Sequence, residues 1–123
     1  MAKVIGLGGF FFKARDPKAL GEWYERHLGL PVEEWGGARF GEDPSRAGYT
    51  LWSPFAADTT YFAPSTQPYM VNFRVDDLDA LLAQLRAAGV TVDDRVDESE
   101  YGRFGWIMDP EGTRIELWQP PAA

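Results

Sequence analysis

The 123-residue chain carries 19 acidic against 12 basic side chains, a formal net charge of −7; this argues against nucleic-acid binding, because neutralising phosphates takes clustered Lys and Arg. Hydrophobic residues at 45% and aromatic residues at 15% suffice for one domain with an ordinary core, and no stretch approaches the roughly 20 apolar residues of a membrane span. Cysteine is absent, which excludes disulfides and thiolate metal sites, and Met1 to Gly9 lacks the long apolar run of a signal peptide, so a cytoplasmic location is expected.

Val4 to Ala14 reads as a Phe-rich strand ended by Asp16-Pro17, where the aspartate can cap a helix and the proline sits in its first turn. Ala19 to Leu28 is that helix. Leu20, Trp23, Tyr24, His27 and Leu28 follow the spacing of one buried stripe, so His27 reads as structural, and Gly29 supplies the stop. Val32 to Phe40, Tyr49 to Trp52 and Thr59 to Phe62 are three short strand candidates, divided by Gly36-Gly37, by Gly41 to Ser45 and by Ser53-Pro54.

Pro64 to Pro68 reads as a linker. Met70 to Val75 then alternates as a strand, and Asp76-Asp77 caps a second helix from Leu78 to Ala88, stopped by Gly89. Val90 to Val92 is a strand candidate and Asp94 to Gly102 an acidic loop. Phe104 to Met108 pairs with Thr113 to Gln119 across Asp109-Pro-Glu-Gly112, which has Asp, Pro and Gly at the first, second and fourth positions of a turn.

The chain repeats itself. Phe10-Phe-Phe-Lys-Ala-Arg-Asp-Pro-Lys-Ala-Leu20 returns about 60 residues later as Val71-Asn-Phe-Arg-Val-Asp-Asp-Leu-Asp-Ala-Leu81, and in duplicated architectures the pocket forms between the copies. Alternation then assigns faces. Phe10, Phe12 and Ala14, like Val71, Phe73, Val75, Ile115 and Leu117, belong under the helices. Gly9, Phe11, Lys13, Met70, Asn72, Arg74, Arg114, Glu116 and Trp118 face the other way.

These segments, with Trp23 to Leu30, Phe73 to Ala80 and Asp109 to Leu117 in this order, resemble the vicinal oxygen chelate superfamily of glyoxalases, extradiol dioxygenases and bleomycin-resistance proteins. The resemblance covers nearly the whole chain. It implies an α+β fold of two βαβββ modules, about 1–64 and 69–123, in one glyoxalase-like domain, with mixed curved sheets forming a cleft, helices outside and commonly a homodimer.

Metal-dependent members of that superfamily hold a divalent ion with a His, Glu or Gln near the start of the first strand, a His or similar group at the start of the repeated strand, and a Glu in the last strand. The corresponding positions here are Gly9, Met70 and Glu116, of which only the glutamate is a competent ligand. Lewis-acid metals need about three protein donors, and the chain has a single histidine. A metal site would have to be carboxylate-only, drawing on Glu116 with Asp58, Glu33 or Glu34. No metal, no other cofactor and no catalytic residue is therefore assigned.

Aromatic side chains give the better functional signal. Trp52, Trp106 and Trp118, three of five tryptophans, fall at strand positions suited to the cleft and would make stacking walls, with Phe11, Tyr61 and Tyr101 adding to the lining. The expected ligand-binding set is Phe11, Trp52, Met70, Asn72, Arg74, Trp106, Glu116 and Trp118. The leading reading is a metal-free protein that binds an aromatic or cationic small molecule, with no nucleic acid and no membrane. The alternatives are a lyase, isomerase or dioxygenase with a degenerate metal site and, third, a regulatory interaction module.

Overall fold

The computed structural model of the protein describes residues 9–41 and 43–122. The start of the first expected strand, residues 4–8, and Glu42 in the expected turn lie outside the described residues. What is described is an α+β arrangement of two helices and a four-stranded open mixed sheet.

Helix α1 (Pro17–Leu28) starts and stops where its punctuation requires. The Asp16 carboxylate accepts from the Ala19 N–H at 3.1 Å, proline occupies the first turn, and Gly29 adopts a left-handed φ of 69° that lets its N–H reach the last carbonyls. Leu20 and Tyr24 are buried, while His27 lies half-buried with its ring 5.1 Å from that of Trp23. Helix α2 (Leu78–Ala87) opens with the same device: Asp77 accepts from the Ala80 N–H at 3.1 Å. The Gln119 side-chain oxygen takes the Leu78 N–H at 2.8 Å, so the sheet also contributes to this cap.

The sheet comprises β1 (Val71–Arg74), β2 (Asp97–Ser99), β3 (Gly102–Met108) and β4 (Arg114–Gln119), in the order β1-β4-β3-β2. β1 runs parallel to β4, and the other pairs are antiparallel. The β3–β4 hairpin forms on the expected turn, where Asp109 Oδ1 accepts the Glu111 and Thr113 N–H groups at 2.8 and 2.9 Å. Its Oδ2 accepts the Tyr24 hydroxyl at 2.8 Å, which ties the hairpin to α1.

One face of the sheet makes the core. Leu78, Leu82 and Leu85 of α2 meet Ile107, Ile115 and Leu117, with Leu20 and Tyr24 of α1 completing the cluster and Phe73 and Val75 packed at its edge. Each fully buried leucine or isoleucine supplies about 2 kcal/mol of transfer free energy. The expected division of faces is the division found in the last strand, and in the Met70 to Val75 segment Phe73 and Val75 pack on the core while Asn72 reaches Glu116 on the opposite face.

Other expectations change. The strand expected at Val90 to Val92 reduces to a single bridge between Val92 and Ile107. The acidic segment expected to be a loop contains β2, which pairs with β3 and has two of its carboxylates held by arginines: Arg95 grips Asp97 at 2.6 and 2.7 Å, and Arg103 reaches Glu98 at 2.8 Å, as well as Asp79 of α2 at 2.7 Å.

In the first half, the described part of the first strand and the candidates at 32–40, 49–52 and 59–62 form no ladder. Residues 32–38 close one antiparallel bridge, Val32 to Ala38, around a turn, and residues 57–64 are mostly turns. Phe10 and Phe12, expected beneath the helices, instead stack on each other at 5.6 Å and against Tyr69 at 5.4 and 6.3 Å, half exposed; Ala14 does pack against the core. The physical reason is partnership. A strand's N–H and C=O groups need a neighbouring strand, and among the described residues no segment of the first half pairs with the free edge of β1.

Candidate functional site

The sheet face turned away from α2 is organised in rows set by strand register. One row crosses three strands, with Asn72 opposite Glu116 and Glu116 opposite Trp106. The next row is Arg74, Trp118 and Phe104, and Arg114 stands opposite Met108 in a third. Because side chains alternate along a strand, residues 114, 116 and 118 share one face.

The central row is a hydrogen-bonded unit. Asn72 donates its amide N–H to Glu116 Oε1 at 2.7 Å, and Trp106 donates its indole N–H to Oε2 at 2.9 Å. The Tyr61 hydroxyl, from outside the sheet, also donates to Oε2. Glu116 is 8% exposed, and a carboxylate so covered needs such donors to offset lost hydration. Among the described residues, no Lys, Arg or His forms an ion pair with it.

Trp106, only 1% exposed, is enclosed on several sides. The guanidinium groups of Arg95 and Arg114 lie 5.3 and 5.2 Å from its ring centre, and Tyr61 meets it edge-on at 6.2 Å. Arg114 is buried, donates to the Ala63 carbonyl at 2.7 Å and lies 3.5 Å from Asp93. Tyr61 stacks on Phe55 at 5.6 Å with 19° between the rings. Burial, followed by its bond to Glu116, pushes the Tyr61 phenol well above its ordinary range.

Trp118 anchors the neighbouring row. It donates to the Tyr101 carbonyl at 2.7 Å, stacks on Phe104 at 6.1 Å and takes Tyr49 at a tilt at 5.0 Å. Arg74 runs outward against Gly48, beside Pro120.

Of the residues expected to form the site, Asn72, Trp106 and Glu116 are bonded together, and Arg74 and Trp118 lie in the adjoining row. Met70 is half-buried just before β1. Phe11 and Trp52 are 92% and 79% exposed, with no aromatic partner among the described rings. The carboxylates Asp58, Glu33 and Glu34 do not gather at Glu116: among the described residues no group of three His, Cys, Asp or Glu side chains is disposed to hold a metal. Glu33 is instead clamped by Arg39 at 2.7 and 2.9 Å.

Sequence reasoning placed Tyr61 in the lining but not on Glu116, and it missed Arg95 entirely. The Trp106–Glu116 pairing was accessible through the Asp109 to Gly112 turn, which fixes the hairpin register. Nothing local marks Tyr61, whose partner is 55 positions away.

The sequence model of the glyoxalase-like domain matches residues 9–118. Among curated proteins none matches. A solved glyoxalase/bleomycin resistance protein from Streptomyces sp. CB03234 is 39% identical over 40% of this chain and 42% of its own, with a TM-score of 0.37. TnmS3, an antibiotic binding protein from the same organism, is 23% identical over 98% of this chain and 100% of its own, with a TM-score of 0.61. TioX from Micromonospora sp. ML1 is 17% identical over 89% and 92%, with a TM-score of 0.51. The last two likenesses concern the fold.

Proposed function

This chain belongs to the glyoxalase-like domain family, within the vicinal oxygen chelate superfamily, and we propose that it is a metal-free, cytoplasmic member that binds a planar aromatic small molecule. The single observation that carries this reading is the state of Glu116. Both its oxygens already accept from Asn72, Trp106 and Tyr61, while the other two positions where the family implies metal ligands hold Gly9 and Met70. A glycine and a thioether do not complete a Lewis-acid centre with one carboxylate whose two oxygens are already hydrogen-bonded. The donor set therefore does not fit the metal that other members carry.

What remains on this face is suited to recognition: the exposed Tyr49 ring and the half-buried Phe104 ring, both laid against the buried Trp118 and bordered by Asn72, Arg74 and Glu116. An antibiotic-binding protein of the same fold, TnmS3, is consistent with small-molecule binding. Fold alone does not fix function, so the reading rests on the residues.

The reading includes a homodimer of two-module chains. Phe11, Trp35, Phe40, Leu51, Trp52 and Phe55 are all exposed, and a second copy would give the unladdered first-half segments strand partners and cover their apolar side chains. The cleft would then draw its walls from both copies.

The test is metal analysis and binding on untagged protein. Nickel, zinc, iron and manganese should together amount to less than about a tenth of an equivalent, and acridine binding, followed by quenching of tryptophan emission, should be unchanged by EDTA. A stoichiometric metal that is lost in Glu116→Ala would replace this reading with that of a metal-dependent enzyme.

A further inference from the structure

The three donors on Glu116 are not equivalent. Asn72 and Trp106 are fixed to it by strand register, as direct cross-strand neighbours in one sheet. Tyr61 is not: it comes from a turn segment outside the sheet and remains 37% exposed. Its ring lies parallel to Phe55 and perpendicular to Trp106, so it fills a slot shaped for a flat aromatic ring with a hydrogen-bond donor on its rim.

The charges around this slot do not balance. Arg95 is paired with Asp97 and Arg114 faces Asp93, and Glu116 adds a carboxylate held by neutral donors. Two guanidinium groups thus stand against three carboxylates. Arg74, in the adjoining row, lies against Gly48. A phenol satisfies a lone pair of Glu116 but leaves its charge uncompensated, whereas a protonated nitrogen does both.

We propose that Tyr61 is a displaceable stand-in for the ligand: the site accepts a planar aromatic cation whose N–H takes the place of the Tyr61 hydroxyl on Glu116. This rests on the small-molecule reading above and specifies its ligand class. The ligand and Tyr61 compete for one acceptor, so the tyrosine sets a threshold that an uncharged ring without a donor pays without recompense. The displaced segment stays tethered, because the Ala63 carbonyl is held by Arg114 and the Ser65 hydroxyl donates to the Gly112 carbonyl.

The experiment compares 9-aminoacridine, protonated near neutral pH and carrying N–H donors, with acridine, neutral and without one, by fluorescence titration of wild type, Tyr61→Phe and Glu116→Gln. Wild type should prefer 9-aminoacridine. Tyr61→Phe should bind it on the order of tenfold more tightly, the value of one hydrogen bond to a charged group. Glu116→Gln should weaken it by about the same factor and leave acridine within about twofold. Acridine and 9-aminoacridine binding alike to all three proteins would overturn this inference and leave the broader reading standing. Absence of binding by either compound would remove both. Tyr61→Phe binding 9-aminoacridine no more tightly than wild type also overturns it, and because Tyr61 lies outside the core this arm decides the matter even where Glu116→Gln fails to fold.

Discussion

Tyr24 joins two parts of the molecule through one hydroxyl. Its ring packs in the core, and its bond to Asp109 links α1 to the turn of the β3–β4 hairpin. Burial first, and the bond to Asp109 second, raise the phenol's affinity for its proton far above the ordinary value of 10.0. In the unfolded chain the phenol ionises near that value, whereas in the folded protein it stays neutral. Its contribution is therefore intact below about pH 10 and is lost as pH rises beyond it, at about 1.4 kcal/mol per pH unit until the raised folded value is reached. Tyr24→Phe should cost about 1–2 kcal/mol at neutral pH and make the alkaline decline shallower. Urea unfolding at several pH values measures both; an equally steep decline in the variant would show that another group drives it.

At the level of elements, the two helices begin with one chemical device used twice. Replacing Asp77 with alanine removes a cap worth about 1 kcal/mol, less whatever Gln119 continues to supply through the Leu78 N–H. At α1 the Glu111 carboxylate accepts the Arg15 and Asp16 N–H groups but not that of Ala19, so Asp16→Ala should lower the denaturation midpoint by the loss of that one cap. The start of β3 is more demanding. Gly102 has φ of 116°, and an added Cβ would collide with the Gln119 carbonyl and approach Trp118 Nε1 at 3.1 Å. Gly102→Ala should cost about 2 kcal/mol or more and disturb the Trp118 bond to Tyr101, visible as altered near-ultraviolet circular dichroism. A variant as stable as wild type would show that the hairpin's open end adjusts freely.

For the molecule as a whole, light scattering coupled to size exclusion should give twice the chain mass, and Trp52→Ser combined with Phe11→Ser should shift the population toward single chains. A wild-type protein of one chain mass would contradict the proposed assembly. The same division explains what could be read in advance. In the second half, Asp77, Gly89 and the Asp109 to Gly112 turn are local signals, and the alternating Ile115 and Leu117 find α2 within the same stretch, so elements and faces follow largely from neighbours in sequence. In the first half, α1 is equally legible from Asp16, Pro17 and Gly29. Its strand candidates are not, because alternation reports an affinity for a partner without naming where the partner is. At the site, register carries Asn72, Glu116 and Trp106, whereas Tyr61 and Arg95 arrive through tertiary packing that no spacing encodes.

The unequal exposure of the tryptophans gives the protein an internal optical label. Trp106 and Trp118 are buried, Trp23 is half-buried, and Trp35 and Trp52 stand in solvent. Emission from Trp35 and Trp52 should lie to the red and be quenched by iodide, while that of Trp106 and Trp118 should lie to the blue and be shielded. Association of two chains through the first half would withdraw red emission from iodide, and occupation of the Glu116 slot would change the blue. One dissolved quencher and one spectrum can therefore tell assembly from ligand uptake without any attached dye.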